Sequence, residues 1–148
     1  SYQLRPHICG LFFYSELNSG VLILMGKSGK RKRKRMEFSE SLKKNKEFQN
    51  VYKKGRSYAN SCLVMYVKEN GLDKNRLGIS VSKKVGNSIV RHRLTRLIRE
   101  GYRLSEEHFR RGIDIIVIAR TSAKGKNYHE IKSALIHLGK LHKIYKQD

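Results

Sequence analysis

Apolar residues recur along residues 36–148 with two periods, one near 3.6 and one near 2. Over Lys43 to Lys54, Phe48, Val51 and Tyr52 stand at i, i+3 and i+4 among lysines, which predicts a first helix. Gly55 is its expected terminator, as a residue tolerant of positive φ. Tyr58 to Lys68 then alternates, with Leu63, Met65 and Val67 on one face and Cys62, Val64 and Tyr66 on the other, predicting one strand. Glu69-Asn70-Gly71 supplies a turn. The next strand sets Leu77, Ile79 and Val81 against Gly78, Ser80 and Ser82, a face small enough for another element to approach closely. Asn87 predicts an N-cap, and after it Val90, Leu94, Leu97 and Ile98 fall within an arc of roughly 100°. A short helical turn is expected near Ser105 to Arg111, and the β-branched run Ile113 to Ala119 predicts a central strand. Asn127 followed by Glu130 makes a capping box that opens a last helix, with Ile131, Leu135, Leu138 and Tyr145 facing inward. The order is α-β-β-α-β-α, an α+β domain.

Residues 1–35 do not follow this pattern. Ile8 to Met25 is apolar in patches but interrupted by Glu16, Asn18, Gly10 and Gly20, which makes a poor membrane span. The basic run Lys27 to Arg35 comes after the apolar stretch, whereas a signal peptide carries its charge before it. Three readings are open for this block: upstream sequence joined to a natural start at Met36 (or Met25), a disordered arm adding non-specific RNA affinity, or an anchor with a polybasic stop. The leading expectation is a basic extension over 1–35, disordered or non-native, followed by one domain over 36–148.

Charge changes the picture from fold to partner. The 148 residues carry 33 Lys+Arg against 12 Asp+Glu, a formal charge of +21, with 39% hydrophobic residues for a modest core. Removing the eight Lys/Arg and one Glu of residues 1–35 still leaves +14 on residues 36–148. Such an excess opposes compaction and points to an anionic partner, nucleic acid ahead of an anionic membrane. The side of the second helix away from its apolar arc holds Arg91, His92, Arg93, Arg96, Arg99 and Arg103, and Lys83 and Lys84 precede it. A solvated basic face is the ordinary explanation of such a stripe. Almost no acidic residue interleaves here, so i,i+4 pairing does not account for it and phosphate binding is favoured. Cys9 and Cys62 lie far apart, in no CxxC or Cys/His cluster, and read as reduced thiols of a cytoplasmic protein rather than zinc ligands.

Four stretches then carry a resemblance: Leu42 to Gly55, Ser57 to Asn60, Arg76 to Asn87 and Val90 to Glu100. Along 36–148 the chain resembles the protein subunit of bacterial ribonuclease P. The resemblance implies an α/β sandwich like the second domain of ribosomal protein S5, with a left-handed βαβ crossover around the basic helix. Pattern alone would give a right-handed one. It implies a role in removing the 5′ leader of precursor tRNA, with the RNA subunit as catalyst. That RNA requires Mg²⁺, and no metal is expected on the protein. The implied partners are the RNA subunit, one protein per RNA, and the precursor's leader, with no membrane and no DNA. By position, Phe48, Tyr52, Tyr66 and Val64 would form a partly open cleft for the single-stranded leader, stacking bases without demanding sequence. Without the resemblance, Phe48 and Tyr52 read as ordinary core. Lys83, Lys84, Asn87, Arg91, His92, Arg93, Arg96 and Arg99 would meet the RNA subunit. His92 replaces a usual Asn, and Thr95 stands where a basic residue is common, at the expected loss of one phosphate contact.

No reactive constellation competes with this reading. HExxH, P-loop and GxSxG are all absent from the sequence, and His108, His129, His137 and His142 have no ligand spacing. No catalytic residue is expected in the protein itself. The alternative class is a ribosome-associated, rRNA-binding protein of similar fold, which would not need the aromatic cleft. A DNA-binding helix module fits less well, because the arginine helix follows a strand rather than a partner helix.

Overall fold

In the computed structural model the described residues are 35–147, together with the backbone of Tyr2 and Gln3. The assignment of 1–35 to a separate extension therefore lies almost wholly outside the described residues. Tyr2–Gln3 (β1) pairs antiparallel with the outer edge of Arg56–Ala59 (β3). The remaining elements in chain order are Ser39–Ser41 (β2), Asn45–Lys54 (α1), β3, Leu63–Glu69 (β4), Asn75–Val81 (β5), Ser88–Arg103 (α2), Ile113–Ala119 (β6) and Tyr128–Leu141 (α3). The sheet order is β1-β3-β4-β6-β5-β2.

The predicted central strand is β6, with all seven residues buried between antiparallel β4 and parallel β5. Parallel neighbours need a crossover, and α2 supplies it between β5 and β6. One face of the sheet packs under α2 and α3, through Leu63, Met65, Val67, Leu77, Ile79, Val81 and the odd residues of β6. The other face packs under α1, through Val64, Tyr66, Ile116 and Ile118. The alternation read from β4 and β5 thus marks two cores.

Several expectations need correction. The single strand over Tyr58 to Lys68 is a hairpin, because Asn60 turns the chain: its Oδ1 accepts from Cys62 N at 3.1 Å and Leu63 N at 2.8 Å. Strand β2 went unseen, being three polar residues, Ser-Glu-Ser, held parallel to Asn75–Leu77. Gly55 is in extended backbone (φ −79°), so positive φ is not its reason. A Cβ there would lie 2.5 Å from Val51 O and 3.0 Å from Val67 O, and close approach is what requires glycine. Tyr145 lies beyond α3 and is half-buried against Phe109, with ring centroids 5.2 Å apart. The expected turn near Ser105 is the short 3₁₀ helix Glu106–His108. The capping box at Asn127 is present, with Glu130 N to Asn127 Oδ1 and Asn127 N to Glu130 Oε2 both 2.9 Å.

Candidate RNA-binding surfaces

Helix α2 begins where β5 ends. Val85 N donates to Ser82 O (3.1 Å) and Lys84 N to Ser82 Oγ (3.2 Å), a tight turn that buries Val85 and leaves Lys83 and Lys84 exposed. Asn87 is first of all a cap, its Oδ1 accepting from Val90 N at 3.1 Å. Leu94 and Ile98 are fully buried, and Val90 and Leu97 only partly so. His92, Arg93 and Arg96 are exposed, Arg99 is half-buried, and Arg103 pairs with Glu100. Arg93 also reaches sideways, Nη2 donating to Lys126 O at 3.0 Å, which ties the basic helix to the loop before α3.

Two positions on α2 depart from expectation. Arg91, placed on the exposed side by pattern, is only 7% exposed, and its Nε and Nη1 are buried without a hydrogen-bond partner. Three, four and seven residues separate it from Leu94, Thr95 and Ile98, so it shares their face, and a helix seated against both the sheet and α3 buries a wider arc than apolar residues mark. Thr95 is 5% exposed, and its Oγ1 donates to Arg91 O at 2.9 Å. Its side chain faces the protein, so the absence of a basic group there removes nothing from the exposed stripe.

Phe48, Tyr52, Val64 and Tyr66 do come together, on the sheet face opposite α2. Tyr52 meets Tyr66 edge-on at 5.0 Å between centroids, and Phe48 lies 6.4 Å from Tyr52. The close approach expected at Gly78 is made by Phe48, since a Cβ there would stand 2.7 Å from its Cζ. The expected partly open cleft is closed, however, with all four residues at most 2% exposed. The apolar side of α1 lies flat on the sheet and seals the rings. What α1 presents outward is a basic rim of Lys43, Lys46, Lys53 and Lys54, continued by Arg56.

A partly buried charge cluster missed in the sequence anchors the first turn of α1. Arg76 donates to both Asp114 oxygens (Nε to Oδ1 2.7 Å, Nη2 to Oδ2 2.6 Å) and, from Nη1, to Glu47 at 2.8 Å. Asn70 Nδ2 adds a bond to Asp114 at 2.9 Å. Asp114 is 1% exposed, and its hydrogen bonds are the first cause of a raised Arg76 pKa. The only sequence signal was an aspartate inside an apolar strand, where an unpaired charge is too costly to leave alone.

A family model described as Ribonuclease P matches residues 36–143. The ribonuclease P protein component of Lachnoclostridium phytofermentans is 65% identical over 106 residues, covering 72% of this chain and 91% of that protein. The crystal structure of the Staphylococcus aureus RNase P protein superposes with a TM-score of 0.67 at 44% identity, over 72% of this chain and 97% of that one. The Thermotoga maritima RNase P protein does so with 0.64 at 30%, over 68% and 96%. This chain belongs to the ribonuclease P protein family.

Proposed function

We propose that this chain is the accessory subunit of a ribonuclease P ribonucleoprotein, in which α2 docks on the RNA subunit and the α1 side of the sheet receives the precursor's 5′ leader. The observation that carries the reading is the rigid strand-turn-helix of β5 and α2, with Lys83, Lys84, His92, Arg93 and Arg96 exposed on one basic surface. Fixed guanidinium groups on a helix suit the phosphates of a folded RNA, because their geometry is already paid for.

The leader's phosphates run along the lysine rim of α1, and its bases meet Phe48, Tyr52 and Tyr66 once the far end of α1, beyond its anchored first turn, lifts from the sheet. Reaction chemistry stays with the RNA. One protein per RNA and a cytoplasmic setting complete the reading. No helix among the described residues is long and apolar enough to cross a membrane.

The test is cleavage of a 5′-extended precursor tRNA by a bacterial ribonuclease P RNA at low magnesium, with and without this chain. Strong stimulation is expected. Tight RNA binding without stimulation would favour the rRNA-binding alternative. In the same assay Tyr52→Ala is expected to weaken leader-bearing substrate by about 1–3 kcal/mol and mature tRNA hardly at all. Equal losses would reduce the aromatic cluster to plain core.

A further inference from the structure

Helix α3 lies beside α2 on the same face of the sheet, and between α3 and the turn at Asn60–Cys62 runs an open groove of about 750 Å³. Its lining includes the imidazoles of His129 and His137, the Lys126 ammonium and the hydroxyls of Ser61 and Ser133. A smaller groove of about 340 Å³ extends it along α3 past Lys132, Ile136 and Lys140. The one acidic side chain in the lining, Glu130, is engaged by Asn127 N at 2.9 Å and Lys126 Nζ at 3.3 Å. Lys126 and Glu130 thus offset each other, and the positive charge along the tract comes from Lys132 and Lys140.

It is also braced from both sides. Asn60 Nδ2 donates to Ala134 O at 3.0 Å, Arg120 Nη1 to Asn60 O at 2.8 Å, and Ser122 Oγ to Ser61 O. On the far rim, Arg93 of α2 holds the Lys126 carbonyl. Arg93 thus links the basic helix α2 to the rim of the groove.

We infer that this groove is a second RNA tract, taking a single-stranded segment of the same RNA subunit that α2 binds. The inference rests on the α2 reading above. Small-molecule pockets are enclosed, whereas this groove is open and most of the residues along it are polar, as at a polymer site. Imidazole rings can stack on bases, which a duplex keeps hidden, while lysines and hydroxyls meet phosphates. The source is the RNA subunit rather than the leader, because α3 shares its face with α2 and the aromatic cluster lies on the opposite one. The pattern was legible in part: His129, Lys132, His137 and Lys140 recur on one side of α3, but the histidines looked scattered until the Asn60 turn supplied a second wall.

The experiment measures affinity of the full chain for the RNA subunit against salt concentration. Lys132→Ala/Lys140→Ala is expected to flatten the log-log slope by about 1.4, the single-strand value for two phosphates. His129→Ala/His137→Ala is expected to weaken binding roughly five- to a hundredfold with the slope kept. Arg96→Ala serves as the control. Weakening by Arg96→Ala alone overturns the groove and leaves the α2 reading standing, whereas no effect from any variant removes the reading beneath both. A second arm places an iron chelate on Ser133→Cys in a Cys9→Ser background, with the buried Cys62 left in place. Strand scission in a single-stranded stretch of the RNA subunit is expected. Scission confined to the leader, or none, would overturn the inference.

Discussion

At the scale of single residues, Arg91 and His142 behave differently from their neighbours of the same type. Arg91 has two guanidinium nitrogens buried without partners, and each such donor costs about 1–3 kcal/mol. Arg91→Met is therefore expected to raise the free protein's stability by about 1–3 kcal/mol in urea titrations. Arg96→Ala, fully on the surface, should leave stability within about 0.5 kcal/mol and reduce the salt slope by roughly 0.7–0.9. A loss of stability in Arg91→Met would show that the guanidinium is satisfied in solution. His142 packs edge-on against Tyr58 at 4.6 Å, and its Nε2 sits 2.9 Å from Met65 O. Burial lowers its pKa to about 4. The folded state then binds the proton less readily than the unfolded chain, whose imidazole titrates near 6.5. Its contribution is complete above about pH 6.5 and falls away as pH drops towards 4, by ~3 kcal/mol at most. His142→Gln is expected to flatten that part of the stability profile relative to the parent, and parallel profiles would contradict it.

At the scale of elements, α1 is a short amphipathic helix clamped at one end. Its ten residues bury Phe48, Val51 and Tyr52, and the Arg76–Asp114–Glu47 cluster joins its first turn to β5 and β6. Removing the cation strands a carboxylate that is 1% exposed, so Arg76→Ala should cost about 3–5 kcal/mol in chemical denaturation. A cost under about 1 kcal/mol would mean that Asp114 is rehydrated or protonated in the variant. Helix positions in the sequence were legible because their apolar spacing is local. The clamp was not, since Arg76 and Asp114 are 38 residues apart and meet only through the parallel register of β5 and β6.

For the whole molecule, charge and topology act together. The sheet separates two faces, one carrying α2 and α3 and the other carrying α1, and the proposed function assigns the RNA subunit to the first and the leader to the second, without competition for surface. Residues 36–148 keep +14 of the +21 charge and contain every residue assigned to either face. Deleting residues 1–35 is expected to leave stimulated cleavage intact at physiological salt. A large loss in that assay would establish the extension as a functional arm.

The sequence by itself determined the family, the alternation of helices and strands, the Asn87 and Asn127 caps, and a basic helix entered from a strand. The family came from the resemblance of four motif stretches, and the rest are matters of period, local hydrogen bonding and charge, readable along the chain. Only the tertiary structure decided that Asn60 folds one apparent strand into a hairpin, that Arg91 is buried, and that the aromatic cluster is sealed. Exposure depends on what packs against a side chain from distant parts of the chain, and a pattern along one element carries no information about its neighbours.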